Sequence, residues 1–208
     1  MISSEVFKRG IFGLNLLLCA FTPPDFAQAI ASGRPTVIFA GPAHFAALRK
    51  ADLLEATDFA SVRLVIVSGS DCPPELAREV AKRLPNGRFT QLWGMTEAQA
   101  GLYSRPEDPI EVAALTAGRP SPGTEVRIAG PEGEALAAGT EGELQVRGSL
   151  LFPGYFDNAE ANAQAFTADG WFRTGDLASH DADGNVRIAG RIKDLINRGG
   201  ARPGFTSP

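Results

Sequence analysis

Cysteine and histidine are scarce: Cys19, Cys72, His44 and His180 are all that the 208 residues contain. The two cysteines show no zinc or redox spacing and suggest no disulfide framework. The two histidines stand alone, which leaves a zinc enzyme without its ligands. A reducing, cytoplasmic setting is the expectation. Basic charge is not in excess either. Lys and Arg total 20 against 24 Asp and Glu, a net charge of −4. The cations are scattered rather than gathered in a stripe, so no nucleic-acid partner is expected. No G-x-S-x-G elbow marks a serine hydrolase, and no G-x-x-x-x-G-K-[ST] phosphate loop is present. Long apolar runs are lacking too. Lys8-Arg9 precede an apolar run from Ile11 to Phe21 that looks like a short signal-peptide core. It is too short to span a bilayer, a bulky Leu18 precedes Cys19, and no convincing A-x-A site follows closely. A buried strand or helix is the better reading there, and no stable membrane insertion is expected.

Glycine and proline are plentiful, 23 and 15, and fall in short clusters that imply many turns and short elements. Hydrophobic residues make up 44% and charged ones 21%, ordinary globular usage with ample material for a core. PPDFAQAIASG at 23–33 reads as a helix, with proline at its start, Asp25 in its first turn and Gly33 at its end. PTVIFAG at 35–41 is a short buried strand, and a helical stretch follows from Pro42 to Leu54. VRLVIVSGS at 62–70 repeats the strand pattern. PPELAREVAKRLPNG at 73–87 is amphipathic, with Leu76, Val80 and Leu84 on one face, and RFTQLW at 88–93 is a third strand. Strands and helices alternating with short breaks predict a parallel α/β sheet. Ligands of such sheets sit beyond the carboxyl ends of the strands. That rule places Ser68-Gly69-Ser70-Asp71 and Gly94-Met95-Thr96-Glu97 on the ligand-facing edge.

The rhythm changes near residues 115–118. Short strands are expected at 124–129, 142–148 and 185–189, joined by turn-rich segments such as PSPG, GPEGE and DADG. These predict antiparallel β structure, a small barrel or sandwich.

Three segments carry chemistry. Gln91-Leu92-Trp93-Gly94-Met95-Thr96-Glu97 ends a strand on an indole, lets the backbone approach closely at Gly94, then sets a hydroxyl beside a carboxylate. The set suits stacking on a base, donation to a phosphate oxygen and a hold on Mg²⁺; a buried tryptophan before a helix start, with Glu97 solvated, is the alternative. Gly170-Trp171-Phe172-Arg173-Thr174-Gly175-Asp176 presents a carboxylate that could accept the two hydroxyls of a ribose, or that simply closes an Asx-turn. Asp183 to Asp194, continuing to Asn197-Arg198-Gly199-Gly200, reads as a hairpin. Its Arg191 could reach the same ribose or phosphate, or the strand could be a charged edge. Lys193-Asp194 opens a segment without clear strand or helix character.

Taken in order, Trp-Gly-x-Thr-Glu, Gly-Glu-Leu-x-x-Arg-Gly at 142–148 with Gly154-Tyr155, Trp-x-x-Thr-Gly-Asp and Gly-Arg-x-Lys-Asp-x-Ile closely resemble the AMP-forming, adenylate-forming superfamily. That superfamily includes acyl-CoA synthetases, luciferases and peptide-synthetase adenylation domains. The resemblance covers most of residues 22–200. It implies part of a large N-terminal domain: an α/β subdomain at 1–116, incomplete at its start, an antiparallel β subdomain at 117–189, and a hinge motif with a non-family tail at 190–208. It implies an acid–CoA ligase that uses ATP, Mg²⁺ and CoA with a small-molecule carboxylic acid. LWGMTE and AGRPSPG at 117–123 look more like fatty- or carbocyclic-acid ligases than like peptide-synthetase domains.

Carried over position by position, the resemblance implies that Trp93 stacks on adenine with Ser68, Gly69 and Ser70 on the base's other side. Gly94 and Met95 line the nucleotide, Thr96 binds the α-phosphate and Glu97 the magnesium, so that Thr96 and Glu97 are the catalytic pair. Asp176 binds the ribose hydroxyls together with Arg191, and Ile188 packs near the nucleotide. Lys193 and Asp194 form the hinge. His44 and Gln99 lie near the acyl pocket. Two family parts have no counterpart: the Ser/Thr/Gly-rich loop ending in Lys-Gly, and the lysine of a C-terminal domain. The expectation is therefore a fragment, inactive by itself, with an exposed apolar face that favours self-association. A non-catalytic nucleotide-binding or interaction module that kept the fold is the alternative.

Overall fold

A computed structural model describes residues 8–10, 13–15 and 21–196, which fall into two compact units parting between Thr90 and Gln91. Lys8–Gly10 (β1) and Gly13–Asn15 (β2) pair as an antiparallel ribbon. The rest of the apolar run before Phe21, and the tail from Asn197 onward, lie outside the described residues.

In the first unit, helix α1 (Pro23–Gly33) begins where the sequence signals it. Thr22 Oγ1 accepts the Asp25 amide at 3.2 Å and donates to the Asp25 carboxylate at 2.8 Å. Those bonds satisfy an otherwise orphaned first-turn donor and favour acid at the helix start. Phe26, Ala29 and Ile30 form its buried face. Strands β3 (Val37–Ala40) and β4 (Leu64–Val67) are parallel, with Val37 opposite Leu64. Between them runs α2 (Pro42–Lys50), shorter than the expected stretch to Leu54. Asp52 adopts a left-handed conformation (φ 56°), and the Leu53 and Leu54 amides both turn back to Leu48 O, which ends the helical ladder. Helix α3 (Pro74–Lys82) follows β4 and buries Leu76, Ala77 and Val80, the face that the amphipathic pattern selects. It stops short of residue 87 because Pro85 withholds an amide from the ladder. Strand β5 (Arg88–Met95) starts beside β4: the Arg88 amide donates to Arg63 O at 2.9 Å and Thr90 Oγ1 to Val65 O at 3.1 Å. Cys72 is a free, buried thiol, and burial together with the neighbouring Asp71 charge pushes it up to about 11.

In the second unit, the rest of β5 pairs antiparallel with β6 (Gln99–Tyr103), and β6 with the short β7 (Arg119–Pro120). Helix α4 (Ile110–Leu115) joins them. Four antiparallel strands follow: β8 (Thr124–Ala129), β9 (Gly142–Gly148), β10 (Phe172–His180) and β11 (Val186–Arg191), in the order β11-β10-β9-β8. All three strand segments anticipated after residue 115 are there. The order is open: among the described residues no pairing of β8 with β11 closes these four strands into a barrel. Helix α5 (Ala159–Ala165) precedes β10, and α6 (Ile192–Ile196) gives the Lys193-Asp194 segment a short helix that its sequence does not announce.

The core of this unit is Leu102, Ile128, Leu144, Val146, Phe172, Ala178 and Val186, with Trp93, Met95, Phe152 and Ile188 packed against it half-buried. Inward-facing residues at alternate positions of β8, β9 and β10 supply most of it, as period-2 side-chain alternation requires. Such a cluster is stabilised by about 25 cal/mol per Å² of apolar surface removed from water. It also fixes the register on which the polar groups at the strand ends depend.

Candidate functional site

The site is built on an irregularity in β10. Arg173 lies opposite Gln145 on β9, yet the next paired residue is Leu177 opposite Glu143. Thr174, Gly175 and Asp176 therefore share the span of the single residue Leu144, and β10 bulges. Gly175 takes a positive φ of 73°, a conformation that glycine tolerates and other residues resist. Thr174 closes the bulge: its Oγ1 donates to Leu144 O at 2.7 Å and accepts the Asp176 amide at 3.1 Å. The Thr-Gly-Asp motif is thus a β-bulge that re-aims one carboxylate.

That carboxylate is almost fully buried, with 5% of its side chain exposed, and both of its oxygens are engaged. Oδ2 accepts the indole N–H of Trp93 at 2.8 Å, and Oδ1 pairs with Arg191 Nε at 2.8 Å. Arg191 stands directly across from Asp176 on β11 and also donates to Thr174 O at 3.2 Å. Burial pushes the Asp176 carboxyl above its ordinary value, partly offset by the Trp93 hydrogen bond and the Arg191 charge. Each oxygen keeps a second lone pair, so the group can still accept hydroxyls from a ligand.

Trp93 comes to this carboxylate from the end of β5. Its ring rests against Gly101 of β6, where an added Cβ would stand 2.6 Å from the indole Cζ3. Gly94 is required for a related reason: a Cβ there would run into the Gln99 carbonyl across the hairpin. Met95 packs on the core, and the Ala98 amide donates to Met95 O at 3.1 Å to make the turn that carries Thr96 and Glu97. Thr96 is exposed and Glu97 half-buried. Glu97 Oε1 accepts the Tyr155 hydroxyl at 3.0 Å, and Glu97 O accepts the Phe152 amide at 2.8 Å.

The second unit thus brings Trp93, Asp176 and Arg191 into one bonded set and seats the Thr96-Glu97 turn directly after the same strand. Ile188 is a half-buried member of the core periphery, and Gln99 is exposed with a positive φ of 50°. Lys193 and Asp194 are exposed on α6. In the first unit, Ser68 follows β4, its amide donating to Ala40 O at 3.3 Å; Gly69 and Ser70 form an exposed bend. His44 lies in the first turn of α2, its Nδ1 3.1 Å from Gly41 O and its ring edge-on to Phe21 and Phe26 at 4.5 and 5.9 Å. No separate sequence signal marks Thr174, Gly101, or Asn162, whose side-chain amide bonds the Tyr155 backbone. Thr174 was legible inside its motif, whereas Gly101 and Asn162 act through contacts that only the fold creates.

Residues 11–156 match the AMP-binding enzyme family, and the chain belongs to that family. It is 44% identical over 156 residues to a 2-hydroxy-7-methoxy-5-methyl-1-naphthoate–CoA ligase of Streptomyces carzinostaticus, covering 74% of this chain and 28% of that protein. A feruloyl-CoA synthase of an Amycolatopsis species is 35% identical over 189 residues, covering 90% of this chain and 38% of that protein. Among solved structures, the amide bond synthetase McbA from Marinactinospora thermotolerans superposes with a TM-score of 0.75 at 30% identity, over 85% of this chain and 35% of that one. The chain spans about a third of the length of the relatives it matches.

Proposed function

We propose that this chain supplies the nucleotide-facing wall of an ATP-dependent acid–CoA ligase. In that reaction a carboxylate oxygen attacks the α-phosphorus of ATP and pyrophosphate leaves, giving an acyl-AMP. The thiol of CoA then attacks the acyl carbon and AMP leaves. Charge on the phosphate oxygens is the main obstacle in the first step, so positioned donors and opposing charge do most of the work. The observation that carries the reading is the buried Asp176 carboxylate gathering Trp93 and Arg191. Asp176 and Arg191 are assigned to the ribose, Trp93 to the adenine face, and Thr96 and Glu97 to the phosphate and its cation. Ser68, Gly69 and Ser70 are assigned to the base, His44 and Gln99 to the acid, and Lys193 with Asp194 to the hinge, by family resemblance. An aryl carboxylic acid is favoured, because the naphthoate and feruloyl relatives are named for such acids.

The donor set fits magnesium of one kind. Among the described residues no group of three or more His, Cys, Asp and Glu side chains could hold a resident metal. Glu97 offers a lone carboxylate with one oxygen already bonded to Tyr155. Mg²⁺ is commonly held by one or two carboxylates together with substrate phosphates, so Glu97 suits a cation that arrives with the nucleotide. Once bound, Mg²⁺ would offset phosphate charge.

None of the described helices is long and apolar enough to cross a membrane; a cytoplasmic location remains part of the proposal, resting on cysteine usage. Titration calorimetry with AMP and an assay for acid-dependent pyrophosphate release test the function together. The expected outcome is weak AMP binding without pyrophosphate release, because these 208 residues hold no Lys-Gly phosphate loop. Measurable release overturns the incomplete-site reading. Absence of any AMP heat favours an interaction module that has kept the fold.

A further inference from the structure

Glu97 is held twice by one distant segment. The Phe152 amide donates to its backbone carbonyl at 2.8 Å, and the Tyr155 hydroxyl, 58 residues away in sequence, donates to its Oε1 at 3.0 Å. Tyr155 is itself clasped. Its amide donates to Asn162 Oδ1 at 2.7 Å, and its carbonyl accepts Asn162 Nδ2 at 2.9 Å, so one side-chain amide from α5 completes a reciprocal pair with the Tyr155 backbone. The phenol ring meets Phe152 edge-on at 4.9 Å, and Phe152 in turn packs on Phe172 at 5.5 Å, a buried member of the core. Gly154 is needed between them: its φ is 133°, and an added Cβ would lie 3.0 Å from Asn162 Oδ1.

We propose that Tyr155 is a positioning residue for Glu97, with Asn162 as its anchor. An unrestrained glutamate on a half-exposed turn samples many rotamers. A phenol fixed by the core and by α5 holds Oε1 in one place and leaves Oε2 for a nucleotide-borne divalent cation. Hydrogen bonds to a ligating carboxylate orient it in this way, and their loss weakens metal affinity. The proposal rests on Glu97 facing the cation, as argued under Proposed function. It adds a role for the Gly-Tyr pair that the sequence motif contains without explanation.

The test uses the full chain with Tyr155→Phe and Asn162→Ala, measuring ATP affinity with and without Mg²⁺, metal-free AMP affinity, and amide hydrogen exchange at 95–99 in the ligand-free protein. Tyr155→Phe keeps the ring on Phe152 and removes only the hydroxyl. Expected are unchanged metal-free AMP affinity, a gain from Mg²⁺ reduced about tenfold, and faster exchange at 95–99 with β9 and β10 unaffected. Asn162→Ala changes the same readouts in the same direction. An undiminished gain from Mg²⁺ in Tyr155→Phe overturns the proposal, as does wild-type exchange at 95–99 in both variants. Should the wild-type chain bind no nucleotide while exchange at 95–99 still responds to Tyr155→Phe, the hold on Glu97 stands and the proposed function fails instead.

Discussion

The indole N–H of Trp93 donates to the buried carboxylate of Asp176 at 2.8 Å, across 83 residues of sequence. This bond ties the end of β5 to the bulge in β10, and Arg191 completes the set from β11. Removing the carboxylate leaves a half-buried indole donor and a guanidinium without their shared acceptor. Asp176→Ala is expected to lower unfolding free energy by roughly 1–3 kcal/mol, the cost of orphaning such donors. Urea unfolding measures it. A variant as stable as wild type would show that this set contributes nothing to the fold.

Asp169 gives a pH dependence with a definite sign. Hydrogen bonds from Thr167 and Arg127 hold its carboxyl down at about 2, below the ordinary 3.8. A depressed value in the folded state means that the stabilisation is present above the unfolded value and lost as pH falls toward the folded one. Asp169→Asn is therefore expected to lower Tm at pH 7, with the gap to wild type closing between about pH 4 and pH 2. Added salt should shrink the gap, since both partners reach solvent. A gap that stays constant down to low pH contradicts the assignment.

On β3 the alternation of side chains leaves Val37 51% and Phe39 67% exposed while Ile38 and Ala40 are buried. Adjoining apolar residues on one sheet face favour association with another surface. Concentration-dependent self-association is expected in light scattering, reduced by Phe39→Ser with the fold retained by circular dichroism. A wild-type chain that stays monomeric at every concentration would count against an adhesive β3 face.

Much of this architecture could be read from the residues because local rules and tertiary packing agree. The two prolines and Asp25 mark the start of α1 in the sequence, and the spacing of Leu76 and Val80 identifies the buried face of α3. Helix α2 ended early because Asp52 adopts a left-handed conformation, which a non-glycine residue seldom announces in sequence. Turn-rich spacing of three short strands predicts a small barrel or sandwich, yet spacing says nothing of which edges meet, and β10 (Phe172–His180) is a fourth strand that it does not announce. At the site, Gly94 signals close backbone approach and Gly175 a tight turn presenting Asp176; that the turn is a bulge in β10 follows only from the strand register. The clasp of Asn162 on Tyr155 was not legible, since it joins a helix to a loop through one amide and no periodicity encodes it.

Trp93, Asp176 and Arg191 are proposed to face a bound nucleotide. The chain has two tryptophans, and Trp171 instead packs against Arg127 and Arg147, whose guanidinium carbons are 4.7 and 4.6 Å from its ring centroid. Its indole signal therefore serves as an internal control in a ¹⁵N–¹H spectrum. Titration with AMP should move the Trp93 indole resonance in a saturable manner and leave that of Trp171 in place. A Trp93 signal that stays fixed while AMP binds, or movement confined to Trp171, would place the nucleotide elsewhere.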